Sequence, residues 1–127
     1  MRIRLSGTVV HGQQLGRQLG FPTANLDVQQ LAGKIPASGV YAAMALLANG
    51  KQYRAMVNIG YRPTVDATRH ALSVETYLDG FSGDLYGQCL SLTLLCRIRD
   101  ERRMASLDAL RQQLSADLDE VRHLIAD

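Results

Sequence analysis

GVYAAMALLANGKQYRAMVNIG, residues 39–60, holds two apolar-rich runs on either side of Asn49-Gly50. Asn-Gly is a favoured dipeptide for two-residue hairpin turns, because both residues tolerate a positive φ. The stretch predicts an antiparallel hairpin, roughly 39–48 with 51–59. Outward from it the period stays near two. Residues 2–10 (RIRLSGTVV) alternate loosely and become β-branched toward their end. Residues 72–78 (LSVETYL) place Leu72, Val74 and Leu78 on one face, with Ser73, Glu75 and Tyr77 on the other. Residues 88–98 place Leu90, Leu92, Leu94, Cys96 and Ile98 together. On that strand Cys89 and Cys96 are seven apart, so opposite faces are expected and no bridge. A small buried hydrophobe is the expected role of at least one.

The tail changes period. Leu107, Leu110, Leu114, Leu118 and Val121 recur at helical spacing, with Ser106 as N-cap and Asp108 at the positive end of the dipole. The expected layout is a set of antiparallel strands across about 2–98, then one amphipathic helix over about 106–125. Short strands with glycine-rich turns predict a barrel or a sandwich. The widest connections, about 11–36 and 60–71, are long for one domain and are expected to close over ligands.

Bulk numbers narrow the function classes. At 127 residues and 46% hydrophobic content, one domain with a real core is expected. A net charge of +2, with 20% charged residues of mixed sign, is too mild for a nucleic-acid or membrane-surface binder. No apolar run reaches membrane-spanning length, and MRIRLSGTVVHG has no secretory apolar core, so the cytoplasm is the expected compartment. His11, His70 and His123 stand singly, without metal-type spacing to cysteine.

Glycines recur at Gly7, inside the first expected strand, and at Gly12, Gly16 and Gly20 in the connection after it. They match neither a Walker loop nor G-x-G-x-x-G, and alone they favour plain turns over phosphate binding. The PTAN segment that follows is more informative. Pro22 fixes its own φ and pushes Phe21 toward an extended conformation. In an extended chain Thr23 and Asn25 point the same way. Their neutral oxygens suit Mg²⁺ held jointly with phosphates, and Arg17 could add charge at the phosphate end. The competing reading is an ordinary turn, with Thr23 and Asn25 bonded to local backbone. Glu75 has two readings as well. It is either a solvated outer-face carboxylate or a base facing a phosphate site.

The sequence resembles the ATP-using riboflavin kinases of bacteria and eukaryotes. The resemblance rests on GTVVHGQQLGRQLGFPTAN (7–25), GVYA (39–42), NIGYRPTV (58–65), SVET (73–76), FSGDLYG (81–87) and RIRDE (97–101), in that order before the leucine helix. It implies a mainly β fold, a six-stranded antiparallel Greek-key barrel with a C-terminal amphipathic helix packed on it. It implies transfer of the γ-phosphoryl group of Mg-ATP to the ribityl 5′-hydroxyl of riboflavin, giving FMN and ADP. Thr23 and Asn25 take the family's Mg²⁺ and phosphate role, and Glu75 that of the base. The loop around Gly12, Gly16 and Arg17 takes the place of the nucleotide cap. Arg99 and Met104 fall where the family lies near the flavin.

Two positions depart from the family. Tyr77 stands where it has histidine, and Met104 where an aromatic is common. With no tryptophan, aromatic packing on the flavin has to come from tyrosine or phenylalanine. Bacterial members are commonly fused to an adenylyltransferase domain that makes FAD. This chain is short for both and carries no H-x-G-H motif, so a free-standing kinase or one domain of a longer protein is expected. The alternative function is a non-catalytic flavin or nucleotide sensor of the same fold. An oligonucleotide-binding barrel is disfavoured by the balanced charge and 6% aromatic content.

Overall fold

The computed structural model describes residues 2–10, 20–63 and 70–126. Its elements are β1 (Ile3–Val10), β2 (Ala24–Leu26), a 3-10 turn (Val28–Gln30), β3 (Gly39–Leu47), β4 (Gln52–Pro63), β5 (His70–Leu78), β6 (Cys89–Arg99) and α1 (Leu107–Leu124). The predicted hairpin is β3–β4, with Leu46 opposite Gln52. Its turn differs from the two-residue form. Gly50 takes φ 88°, while among the described residues no other type has positive φ, Asn49 included. The Gly50 N–H donates to the Leu47 carbonyl at 3.0 Å and the Leu47 N–H to the Lys51 carbonyl at 2.9 Å. Asn49 Oδ1 accepts from the Lys51 N–H at 2.9 Å. This is a three-residue loop with glycine in the left-handed position.

The strands close in the order β1-β2-β5-β4-β3-β6, every neighbouring pair antiparallel. β3, β4 and β5 follow one another, and β6 returns beside β3, which is the Greek-key arrangement. Closure leaves no free edge. Two of the expected loops contain strand. β2 lies inside 11–36, where three residues are too few to show a period. β4 runs through Gly60 to Pro63, which pairs with His70, so the β4–β5 connection is 64–69 rather than 60–71.

The barrel interior is filled from all six strands, with Leu5, Leu26, Tyr41, Val57, Val74 and Leu92 each no more than 3% exposed. A smaller cluster lies outside the barrel under α1: Val40, Ala42, Met56 and Val121, with Cys96, Ile98 and Leu114 against it. The expected single face for Leu90 to Ile98 is therefore split. Leu94 opposes Ala43 and Cys96 opposes Ala42, so Leu95 is an extra residue in the ladder. A bulge of this kind reverses the alternation. Leu90, Leu92 and Leu94 point in, while Cys96 and Ile98 pack outside. The bulge also corrects the cysteine expectation. Cys89 is exposed and outward like Cys96, and both are free. Seven residues at about 3.3 Å each hold them some 20 Å apart.

α1 is capped as expected, Ser106 Oγ accepting from the Ala109 N–H at 3.1 Å, with Asp108 in the first turn. Leu118 and Val121 are buried, but Leu107, in the first turn, is 51% exposed. The far end is tied down by charge. Arg122 donates to both oxygens of Asp79 at 3.0 and 2.8 Å, and Arg54 reaches Asp79 at 3.4 Å and the Ile125 carbonyl at 3.2 Å. Among the described residues no helix is long and apolar enough to cross a membrane.

Candidate active site

β2 brings the PTAN segment into the barrel wall between β1 and β5. Asn25 opposes Val10 on one side and Glu75 on the other. Glu75 in turn opposes Asn58 of β4, Asn58 opposes Val40 of β3, and Val40 opposes Arg99 of β6. One row on the outer face therefore reads Asn25, Glu75, Asn58, Val40, Arg99. Directly opposed residues have Cβ atoms about 4.5–5.5 Å apart, so Asn25 and Glu75 can act on one small group. Glu75 is half-buried, and its Oε2 accepts from Ser73 Oγ at 3.4 Å. Asn58 Oδ1 is buried without a hydrogen-bond partner.

Beside this row, at the β1–β2–β5 side, opens a cavity of about 450 Å³. Pro22, Thr23 and Asn25 line it together, alongside Thr76 and the 81–86 loop. That loop is shaped by glycine at φ 84° (Gly80), 137° (Gly83) and 80° (Gly87). Asp84 Oδ1 accepts from the Tyr86 N–H at 2.9 Å, Leu85 buries as a plug, and Gly87 and Gln88 bond back to Val9. Phe81 packs edge-on to Tyr53, with ring centres 5.5 Å apart. Below lies Thr76, fully buried, with a hydroxyl that has no partner. The strand alternation that groups Leu72, Val74 and Leu78 includes Thr76, so the signal was present in LSVETYL.

The candidate ligands are neutral oxygens, the Thr23 hydroxyl and the Asn25 amide, with the Glu75 carboxylate beside them on the next strand. Among the described residues no group of three or more His, Cys, Asp or Glu could hold a metal alone. Two neutral oxygens beside an open cavity fit Mg²⁺, which prefers few protein ligands and completes its shell with phosphates and water.

The remaining expected site residues separate. Arg99 is turned to α1 and bound to Asp117, its Nε 3.0 Å from each carboxylate oxygen and its Nη2 2.8 Å from Oδ2. Met104 is half-buried in the segment between β6 and α1. Tyr77 meets Phe21 edge-on at 5.3 Å, at the margin of the cluster under α1. Gly12, Gly16 and Arg17 lie outside the described residues. Asp117 carried no sequence signal, and Asn58 entered only as the first residue of the NIGYRPTV stretch, with no role attached. One is a polar residue on a helix, the other a polar residue in a strand, and their roles depend on what stands opposite.

A riboflavin kinase family model matches residues 1–125. The chain is 40% identical over 125 residues to a bifunctional riboflavin kinase/FMN adenylyltransferase of Pseudomonas fluorescens, covering 97% of this chain and 38% of that one. A solved riboflavin kinase from Trypanosoma brucei superposes with TM-score 0.68 at 25% identity, covering 97% of this chain and 76% of that one. The solved structure of a macrolide-efflux protein from Streptococcus pneumoniae gives TM-score 0.80 at 35% identity over 94% of this chain and 38% of its own. The chain thus spans well under half the length of the bifunctional relative.

Proposed function

The chain belongs to the riboflavin kinase family, and on that premise we propose that it transfers the γ-phosphoryl group of Mg-ATP to the ribityl 5′-hydroxyl of riboflavin, giving FMN and ADP. The observation that carries this reading is the direct pairing of Asn25 with Glu75 beside a cavity also lined by Thr23. The nucleotide takes the cavity, its phosphates toward Thr23 and Asn25. The acceptor hydroxyl approaches Glu75 on the outer face. Glu75 accepts the hydroxyl proton as the oxygen–phosphorus bond forms and the bond to the ADP oxygen breaks. Thr23 and Asn25 are the residues that would hold Mg²⁺, which when bound neutralises charge on the β- and γ-phosphates. The chain itself aligns the two substrates, and such alignment supplies much of the acceleration in phosphoryl transfer. Arg99 and Met104 stand on the acceptor side, Arg99 through its place in the row and Met104 in the segment after it. By the sequence resemblance alone, the nucleotide-capping role falls to Gly12, Gly16 and Arg17. The reaction belongs in the cytoplasm, where ATP is abundant and two free thiols stay reduced.

The test is incubation of the purified chain with riboflavin, ATP and Mg²⁺, followed by chromatography of the flavins. FMN should form only with all three. A positioned base contributes about 10²–10⁴-fold, so Glu75→Gln should lose turnover by that factor while still binding both substrates. Wild-type rates in Glu75→Gln would remove Glu75 from the base role. Tight flavin binding without FMN would make the chain a sensor.

A further inference from the structure

Asp117 lies on α1, 2% exposed, in a place where an unpaired carboxylate would be very costly. Arg99 neutralises it through three contacts of 2.8–3.0 Å, and Gln113 Nε2 donates to its Oδ1 at 2.9 Å. The remaining arm of Arg99 holds the Asp100 carbonyl at 3.0 Å. One buried carboxylate thus grips both the last residue of β6 and the first residue of the segment that follows it. That segment, 100–106, leads to α1, and its start lies against β4. The Glu101 carboxylate lies so close to Gly60 that a Cβ there would collide with both of its oxygens. Gly60 opposes Ser73, whose hydroxyl donates to Glu75.

The cavity lies on the β2 side of Glu75, and the Glu101 contact with Gly60 puts the start of this segment on the β4 side, the side left open to an acceptor alcohol. We infer that Asp117 is a positioning residue for the acceptor: through Arg99 it sets the 100–104 wall against β4 and so the fit of the flavin substrate, without touching either reactant. The inference rests on the kinase reading. It differs from a general stabilising role, because a second ion pair, Arg122–Asp79, anchors the other end of the same helix and touches no part of that wall.

The experiment compares Asp117→Asn with Arg122→Ala in the full chain. It measures KM for riboflavin, KM for Mg-ATP, and the riboflavin Kd by quenching of flavin fluorescence. Asp117→Asn should raise the riboflavin KM and Kd by about 3- to 30-fold, the range for mutations along a coupled network, and leave the Mg-ATP KM within about twofold. Arg122→Ala should lower the melting temperature and leave both constants unchanged. Equal rises in both KM values, no rise, or the same riboflavin effect from Arg122→Ala would overturn the inference. If Asp117→Asn does not fold, Gln113→Ala, which removes the bonds to Asp117 and from Arg102 of the same segment and keeps the Arg99–Asp117 ion pair, should give a smaller rise in the riboflavin KM alone. An unchanged KM in that variant would overturn the inference. A wild-type chain that neither makes FMN nor binds riboflavin would instead sink the kinase reading on which this one stands.

Discussion

Replacing Thr76 by valine should make the protein more stable and a worse user of ATP. Thr76 is fully buried, and its hydroxyl has no hydrogen-bond partner, yet it borders the cavity assigned to the nucleotide. A hydroxyl buried without a partner costs about 1–3 kcal/mol relative to water, and valine has nearly the same shape. Removing that penalty should stabilise the unliganded protein by about 1–2 kcal/mol. A chain of 127 residues unfolds with an entropy of about 0.27 kcal/mol/K, so the melting temperature should rise by roughly 4–7 °C. The same hydroxyl, if it serves the nucleotide, makes one neutral hydrogen bond on binding, worth about 0.5–1.5 kcal/mol. The Mg-ATP KM should therefore rise about 2- to 12-fold, with the riboflavin KM unchanged. Thermal unfolding without ligand and steady-state kinetics read the two effects separately. A lower melting temperature would mean that the hydroxyl is satisfied in the folded chain. A higher one with an unchanged Mg-ATP KM would take the nucleotide out of this cavity. Both outcomes expected together would be a stability–activity trade at one atom.

Two further outcomes follow from the outer face and the helix end. The hydrogen bonds from Arg122, with its charge and that of Arg54, hold Asp79 below the ordinary carboxylate range against the opposing pull of burial. A depressed folded pKa contributes stability above the unfolded value of about 3.9, and that stability is lost as pH falls through the folded value. Asp79→Asn should cost about 1.5–3 kcal/mol at pH 7, and the cost should shrink as pH falls from about 4 toward about 2, measured by urea unfolding. A cost that stays constant over that range would refute the assignment. At Gly60, a Cβ would force the Glu101 carboxylate to withdraw by roughly 1 Å. Gly60→Ala should therefore be destabilising in the wild-type chain and neutral in a Glu101→Ala background, with a coupling of about 0.5 kcal/mol or more. Simple additivity would show that Glu101 moves aside freely.

Period and turn chemistry make much of this protein legible along the chain. The runs flanking Asn49-Gly50 had to pair, Leu72 to Leu78 had to alternate, and the leucines after Ser106 had to form a helix with one apolar stripe. All of these are local rules, in which a residue's role follows from neighbours a few positions away. PTAN is legible in the same way, since Pro22 biases its surroundings toward the extended form that β2 adopts. What the sequence does not contain is what stands opposite what. β2 is three residues long and exists because β1 and β5 flank it. The extra residue at Leu95 moves Cys96 and Ile98 from the barrel to the helix-covered face. Asn58 becomes a neighbour of Glu75, and Asp117 a partner of Arg99, only once the barrel closes. Burial patterns are written along the chain, whereas register and charge pairing are set by contacts between distant segments. The site depends on both: the sequence names Thr23, Asn25 and Glu75, and barrel closure puts Asn25 opposite Glu75 and leaves the cavity at their side.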